Sequence, residues 1–141
     1  MFAAVRHGSS KYSQQQRQAW VPYPRTGVEW QERLDSQLVV VAEVSTQIVG
    51  FMSLADDGYI DFSYIRPVAR RTGLFRRLYV KIEKYAQKNS ESRLWVHASL
   101  MAQPAFAAMG FVVSKSERVP IGEEVLKRFE MGKTLIQLQP K

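Results

Sequence analysis

The chain has 141 residues and a mass of 16.2 kDa, which suits one domain and is too short for two of ordinary size. At 45% hydrophobic residues it can bury a core, and the lack of cysteine excludes disulfides, thiolate zinc sites and cysteine thioester intermediates. A net charge of +7 and only two histidines predict no metal site and a polyanionic partner: nucleic acid, anionic lipid or a phosphate-bearing cofactor.

The first 37 residues are predicted to be helical and rich in aromatic side chains. Ser13 can cap a helix over residues 14–20, which Pro22 and Pro24 end. A second short helix is expected over residues 28–34. These helices precede all of the predicted strands.

Strands are predicted from residue 38 onwards, where β-branched and apolar residues become frequent. Residues 38–44 and 48–54 favour a hairpin, and residues 59–65 a third strand that Pro67 ends. A strand over residues 94–98 and two strands near the C-terminus, one from residue 111 and one within 128–138, complete the predicted set.

A helix of about four turns is predicted to begin at Gly73, because apolar residues recur at helical spacing and basic residues fill the opposite face. A shorter helix over residues 102–109 ends at Gly110. The strands before and after the long helix can pair in parallel through this crossover. We therefore expect a single α/β (α+β) domain over residues 1–141, with a mixed, mostly antiparallel sheet, a central parallel pair and helices on both faces.

The most informative segment covers residues 64–78, in which a strand ends at a proline, a basic loop follows and a helix begins at a glycine. Such a turn directs free backbone N–H groups and the positive end of the helix dipole to one point. Gly73 permits close approach of a ligand, and the neighbouring arginines can bind phosphate oxygens. The segment predicts a pyrophosphate site; the alternative is that Gly73 only opens the helix and the arginines are solvated.

Residues 70–75, Arg-Arg-Thr-Gly-Leu-Phe, resemble the Gln/Arg-x-x-Gly-x-Gly/Ala signature of the GNAT family of N-acetyltransferases, with Phe75 at the second glycine. Residues 41–51, which end in Gly50-Phe51, and residues 97–111, which end in Gly110-Phe111, are similar to two further family segments. The resemblance spans nearly the whole chain and is strongest to a bacterial branch of uncharacterised acetyltransferases. It implies the acyl-CoA N-acyltransferase fold, in which the central parallel strands splay apart, and acetyl-CoA as cofactor.

The resemblance also implies which residues bind the cofactor. Backbone groups of Tyr64 and Ile65 would hold the pantetheine arm in the gap between the splayed strands. The turn that follows would hold the pyrophosphate, and its members are Arg70, Arg71, Thr72, Gly73, Leu74, Phe75 and Arg76. The phenyl ring of Phe75 must then rotate away from the phosphates.

A base is needed because an amine with a pKa of about 10.4 is protonated at neutral pH. Asp61 is the first candidate, since it lies in an apolar strand where the family often has a carboxylate, and Tyr59 should share its face. Asp61 could instead be an exposed strand residue or pair with an arginine. Glu43 is a second candidate, more structural than catalytic, and His97 could be a base or a core histidine.

The leaving thiolate is commonly protonated in this family by a tyrosine four residues before the Gly-Phe pair. Here that position is Phe106, which we expect beside the cofactor but without a proton to give. Ser99 is predicted to contact the cofactor and donate a proton, and could equally cap the next helix. A thiol with a pKa near 8.5 leaves without full protonation, so loss of the tyrosine slows this step without preventing it. Because the chain has no cysteine to hold the acetyl group, direct attack in a ternary complex is expected.

The acceptor, a primary amine of a small molecule or of a peptide, is expected to bind between the N-terminal helices and the face of the sheet. Trp20, Trp30 and Tyr59, with Tyr12 and Tyr23, could form an aromatic wall for a cationic or flat substrate. The alternative is that these rings belong to the core.

Family members normally begin with one more strand, which pairs with the strand over residues 38–44. This chain opens within what would be the first helix, so we expect the first strand to be missing and an apolar edge to be left. We predict that a second subunit, in a homodimer, or a rearranged N-terminus covers this edge.

Two rival functions are a nucleic-acid-binding domain that uses the basic stripe of residues 66–88 and an acyl-CoA-binding relative without turnover. The aromatic residues lie outside the basic stripe, which argues against nucleic acid. No apolar run approaches the roughly 20 residues of a membrane span, and the first residues lack the core of a signal peptide. A cytoplasmic protein without a membrane partner is therefore predicted.

Overall fold

Eleven helices and strands follow one another along the part of the chain that the computed structural model describes, which is residues 1–7, 10–22 and 24–136. In chain order they are α1 (Phe2–Arg6), α2 (Gln14–Trp20), α3 (Val28–Asp35), β1 (Leu38–Val44), β2 (Gln47–Leu54), β3 (Tyr59–Ile65), α4 (Leu74–Lys88), β4 (Arg93–Ser99), α5 (Gln103–Ala108), β5 (Val112–Ile121) and β6 (Glu124–Thr134). Two 3-10 turns, Asp56–Gly58 and Pro67–Ala69, precede β3 and α4.

The predicted cap of α2 is present as a reciprocal pair of hydrogen bonds. The hydroxyl of Ser13 accepts the backbone N–H of Gln16 at 3.0 Å, and the Gln16 side chain accepts the backbone N–H of Ser13 at 2.9 Å. This capping box satisfies two donors at the helix N-terminus, which explains why so short a helix begins here.

The six strands form one mixed sheet in the order β1-β2-β3-β4-β6-β5. The expected β1–β2 hairpin turns at Ser45 and Thr46, both with positive φ (49° and 68°), which matches the twist of a tight hairpin. All neighbouring pairs are antiparallel except β3 and β4. The predicted sheet and its central parallel pair are confirmed.

The parallel pair β3–β4 holds together over two positions only. Tyr59 is paired with Trp95 and Ile60 with Val96, and beyond these positions the two strands separate. The remaining half of β3 therefore has no strand partner on the β4 side. This opening is the splayed gap that the sequence resemblance implies.

Helices cover both faces of the sheet. On one face, Leu78 and Ile82 of α4 pack against Met52 of β2 in the main core. On the other, Trp30 of α3 lies 5.1 Å from Phe62 of β3, ring centre to ring centre. Burial of each large apolar side chain contributes about 1.5–3 kcal/mol, so both layers position the central strands.

Strand β1 forms one edge of this sheet, and no strand among the described residues pairs with its outer side. Val41 and Val44 are 51% and 60% exposed there. None of the described helices is long and apolar enough to cross a bilayer.

Candidate active site

A cavity of about 400 Å³ opens where β3 and β4 separate, and we call it the gap cavity. The end of β3, the turn before α4 and the start of α5 form its walls, and the N-terminal segment closes the remaining side. Its lining includes most of the residues predicted to bind a cofactor: Tyr64, Ile65, Arg70, Arg71, Gly73, Leu74, Phe75 and Ser99.

The edge of β3 that faces the gap presents the backbone groups of Ser63 and Ile65. The N–H groups of Phe62 and Arg66 bond to Ser53 and Val49 of β2, so even-numbered positions face β2. Because backbone groups alternate along a strand, the odd-numbered positions face the gap. The sequence expectation named Tyr64 and Ile65; by this register Ile65 is kept and Ser63 replaces Tyr64, whose backbone groups face β2.

The N-terminus of α4 begins at Gly73, which has a left-handed conformation with φ of 80° and caps the helix without a side-chain hydrogen bond. A Cβ atom at Gly73 would meet no other atom within 4 Å, so the space above it is open. The N–H groups of the first helical turn, from Leu74 to Arg76, point along the helix axis without intrahelical partners. This turn can accept an anionic group on backbone donors.

The arginines of the turn differ in what they can do. Arg70 donates from Nε to the carbonyl oxygen of Ile65 at 3.3 Å and from Nη2 to that of Ala4, so it braces the turn against β3 and α1. Burial lowers the pKa of Arg70. Arg71 is exposed and lines the gap cavity, which leaves it the better placed of the two to meet a phosphate.

Two predicted cofactor contacts have side chains outside the lining of the gap cavity. Thr72 donates its hydroxyl to the carbonyl oxygen of Ala69, and Arg76 lies on the exposed face of α4. Only their backbone amides belong to the anion-accepting turn.

Phe75 and Phe106 pack edge to face, with ring centres 4.9 Å apart and planes at 84°. The ring of Phe75 has turned into the core, as the expected rotation requires, and still borders the gap cavity. Phe106 is fully buried, so no ligand in the cavity can touch it. The expected contact between Phe106 and the cofactor is therefore corrected: Phe106 packs against the ring of Phe75 from within the core.

A second cavity, of about 190 Å³, adjoins the gap cavity, and the two share four lining residues: Tyr12, Trp20, Tyr64 and Ser99. Its other walls carry the polar side chains of β3 and β4, with three arginines from α3, β6 and the segment before α3. The two cavities therefore meet at these four residues. A group that enters from the gap can meet a group that enters from the second cavity at the shared residues.

Asp61 lines the second cavity, but both of its oxygens are already engaged. Arg33 donates to them from Nε and Nη2 at 2.9 and 2.8 Å, and Gln37 donates at 2.6 Å. The Asp61 side chain is 9% exposed, and its hydrogen bonds raise the pKa of Arg33. Of the alternatives left open by the sequence, the structure shows the pairing with an arginine.

His97 lies in the same cavity with one ring nitrogen bonded and the other near a carboxylate. Its Nδ1 is 2.9 Å from the hydroxyl oxygen of Tyr59, and its Nε2 is 3.8 Å from an oxygen of Glu130. Burial and, next, the charge of Arg128 lower the pKa of His97 below 6.5. The imidazole is therefore neutral at pH 7 and can accept a proton.

Ser99 and Tyr12 lie at the junction of the two cavities. The hydroxyl of Ser99 accepts the backbone N–H of Ala102 at 3.1 Å, within the turn that leads into α5. Tyr12 donates its hydroxyl to the carbonyl oxygen of Lys127 and accepts the N–H of Leu100 at 3.0 Å. These contacts hold the N-terminal segment against the sheet and shape the junction.

Of the predicted aromatic wall, Trp20 and Tyr59 line the second cavity. Trp20 lies 5.7 Å from Tyr12 and 6.0 Å from Tyr64 between ring centres. Trp30 packs on Phe62 of β3 and lines neither of these two cavities but a third one, beside Arg25 and Tyr64, so its contact with the acceptor stays a prediction. Glu43 also lies outside both cavities, and Tyr23 lies outside the described residues.

Comparisons with known proteins agree with this geometry. The family model of the acetyltransferase (GNAT) domain matches residues 9–135. The uncharacterised N-acetyltransferase YafP of Escherichia coli is 36% identical over 117 residues, which cover 83% of this chain and 73% of that protein. The chain belongs to the GNAT acetyltransferase family.

Solved GNAT structures share the fold of this GNAT chain. A GCN5-related N-acetyltransferase from Rhodopseudomonas palustris superimposes with a TM-score of 0.87 at 30% identity, covering 95% of this chain and 84% of that one. The acetyltransferase yncA from Salmonella typhimurium, solved with its cofactor acetyl-CoA, gives a TM-score of 0.65 at 17% identity, covering 99% and 87%. At that identity, the second likeness shows the fold alone.

Proposed function

We propose that this GNAT chain transfers an acetyl group from acetyl-CoA to the amine of a small acceptor. The observation that carries the proposal is the meeting of the two cavities at Tyr12, Trp20, Tyr64 and Ser99. The first cavity has backbone donors suited to a pantetheine arm and a pyrophosphate, and the second has a neutral imidazole. A thioester and an amine that entered from opposite ends would meet at these shared residues.

The gap cavity fits coenzyme A on three structural features. The open space above Gly73 leaves room for phosphate oxygens, and the first turn of α4 supplies N–H donors. The gap-facing edge of β3 lacks a partner strand, so an extended arm can pair with Ser63 and Ile65. Acetyl-CoA would supply an activated acyl group, and the yncA structure, solved with acetyl-CoA as its cofactor, supports this proposal.

We propose His97 as the base, with Tyr59 as the group that relays the proton. Burial raises the pKa of Tyr59, so its hydroxyl stays protonated and can donate to Nδ1 of His97. The hydroxyl oxygen can then take a proton from the amine as its own proton passes to the imidazole. The amine nitrogen forms the new C–N bond as the C–S bond of the thioester breaks.

Asp61 is then a positioning residue, although the sequence made it the first candidate for the base. Arg33 and Gln37 already donate three hydrogen bonds to its two oxygens, and a proton taken up by Asp61 would remove the charge that holds Arg33. In this assignment Asp61 holds the guanidinium group of Arg33 at the wall of the second cavity.

We propose that the hydroxyl of Ser99 protonates the departing thiolate, since Phe106 carries no hydroxyl and is buried, and the hydroxyl of Tyr12 already donates to the carbonyl oxygen of Lys127. The Ser99 oxygen accepts from Ala102, which leaves its own proton free to donate. The sequence contains no cysteine that could hold the acetyl group, so we propose direct attack in a ternary complex.

The experiment is calorimetry with acetyl-CoA and with a short DNA duplex, followed by a thiol-release assay over a panel of amines. Binding of acetyl-CoA with release of thiol in the presence of an amine supports the proposal. Duplex binding without cofactor binding would favour a nucleic-acid function of the exposed basic face of α4. Cofactor binding without transfer to any amine would favour an acyl-CoA-binding relative without turnover. The cytoplasmic location and the homodimer stay predictions, which this experiment does not test.

A further inference from the structure

The second cavity carries more positive than negative charge. Three guanidinium groups line it, those of Arg25, Arg33 and Arg128, and Asp61 is the one carboxylate among its described lining residues. The bidentate ion pair with Asp61 compensates Arg33. Behind the wall, a single oxygen of Glu117 accepts from Nε and Nη2 of Arg128, both at 3.1 Å.

Arg25 has no carboxylate partner among the described residues. Its guanidinium lies over the ring of Trp30, 5.7 Å from the ring centre, and it is exposed to solvent at the mouth of the second cavity. One positive charge of the cavity therefore remains uncompensated, and the Nη1 of Arg128 is a second donor that the contact with Glu117 does not use.

These charges act on the side chains inside the cavity and not only on the surrounding solvent. Burial lowers the pKa of His97, and the charge of Arg128 lowers it further. Burial raises the pKa of Tyr64, and the charge of Arg25 is the largest effect that opposes this rise. The guanidinium groups of Arg25 and Arg128 are therefore close enough to act on a ligand in this cavity, which both of them line.

We infer that the acceptor is a small amine that also carries a carboxylate, bound by Arg25 and Arg128. This inference rests on the proposed transfer reaction. Guanidinium groups bind carboxylates through paired, charge-assisted hydrogen bonds, and a polyamine would add positive charges to a cavity that already has an excess. The volume of about 190 Å³ is below the 300–1,000 Å³ usual for drug-sized ligands, which favours a single amino acid.

The aromatic residues of the second cavity indicate which side chain the acceptor amino acid carries. At the junction with the gap cavity, the ring centres of Trp20 and Tyr64 lie 6.0 Å apart, with their planes tilted by 52°, and both residues line the second cavity. A flat apolar side chain can lie against these rings while the carboxylate reaches the arginines and the amine approaches Tyr59. L-phenylalanine is therefore the first probe.

The test compares matched acceptors on the full chain with acetyl-CoA, measured by thiol release and by mass of the product. Each α-amino acid is assayed beside its carboxamide, which keeps the amine and side chain but removes the negative charge, and spermidine and kanamycin represent polycations. We expect kcat/KM to be at least about tenfold higher for the carboxylate member of each reacting pair, the loss typical of one charge-assisted hydrogen bond.

Substitutions of Arg25 and Arg128 test whether these two residues cause the preference for carboxylate acceptors. Arg25→Gln should raise KM for the carboxylate acceptor about tenfold and bring the carboxylate and carboxamide rates together, while KM for acetyl-CoA is unchanged. Arg128→Gln should do the same. Arg118→Gln removes one exposed charge of β5 outside both cavities and is the matched control, with wild-type selectivity expected.

The outcomes separate this inference from the proposed function. If acetyl-CoA binds and carboxamides or polycations react best, the inference is overturned and the transfer reaction stands. If the carboxylates react best but Arg25→Gln and Arg128→Gln keep wild-type selectivity, the assignment to these arginines is overturned. Failure to bind acetyl-CoA in calorimetry overturns the proposed function itself, and the acceptor inference with it.

Discussion

The hydroxyl oxygen of Tyr59 lies 2.9 Å from Nδ1 of His97, and the two residues come from strands that are adjacent only because β3 and β4 pair in parallel. The pair joins a protonated phenol to an imidazole that is neutral at pH 7. Among the described side chains of the second cavity, His97 can accept a proton without weakening the ion pair of Asp61 and Arg33.

A His97→Gln substitution should lower kcat about 100-fold at pH 7, the effect typical of losing a general base, with a smaller loss for Tyr59→Phe. The wild-type kcat should fall as pH decreases through the lowered pKa of His97, because protonation then removes the acceptor. The acidic limb should therefore lie below pH 6.5 and be absent in the Gln variant. An unchanged limb in that variant would exclude His97.

A Gly73→Asp substitution should abolish acetyl-CoA binding in calorimetry. The left-handed backbone at φ of 80° and the open space above it place the new carboxylate where phosphates are expected. Gly73→Asn is the control, since asparagine has the same shape, accepts the left-handed conformation and carries no charge. Equal affinity of the two variants would show that the phosphate site is elsewhere.

A Phe106→Tyr substitution should not restore a proton donor to the site. Position 106 is fully buried against Phe75 and Phe111, so the added hydroxyl would lack a partner and cost about 1–3 kcal/mol of the free energy of unfolding. Urea denaturation and steady-state kinetics test this, with Phe106→Leu as an apolar comparison. A higher kcat for the tyrosine variant would place this side chain at the cavity.

An Asp61→Asn substitution should mainly lower the free energy of unfolding, with a smaller effect on kcat. Loss of the charged pair with Arg33, whose side chain is 48% exposed, should cost about 1 kcal/mol. A double-mutant cycle with Arg33→Gln measures the coupling by urea denaturation. If Asp61→Asn instead reproduces the rate loss and altered pH profile of His97→Gln, then Asp61 is the base.

Much of the fold follows from short-range signals. Ser13 and Gln16 cap α2 from three residues apart, and the tight turn at Ser45 and Thr46 needs only the flanking strands. The helix start at Gly73 is likewise local, because glycine tolerates the left-handed conformation there. For this reason these elements and the anion-accepting turn are predictable from the sequence.

The site depended on information that no local pattern contains. Whether Ser63 or Tyr64 turns its backbone to the gap depends on the register between β2 and β3. The partner of Asp61 is Arg33, 28 residues earlier on a different element.

By itself, the sequence determined the family, the order of the elements and the glycine turn, because these depend on residue type and near-neighbour spacing. Only the tertiary structure decided which side chains share a cavity. It buries Phe106, pairs Asp61 with Arg33 and places Tyr59 beside His97. The physical reason is that strand register and packing set the burial of each group and the partners it meets.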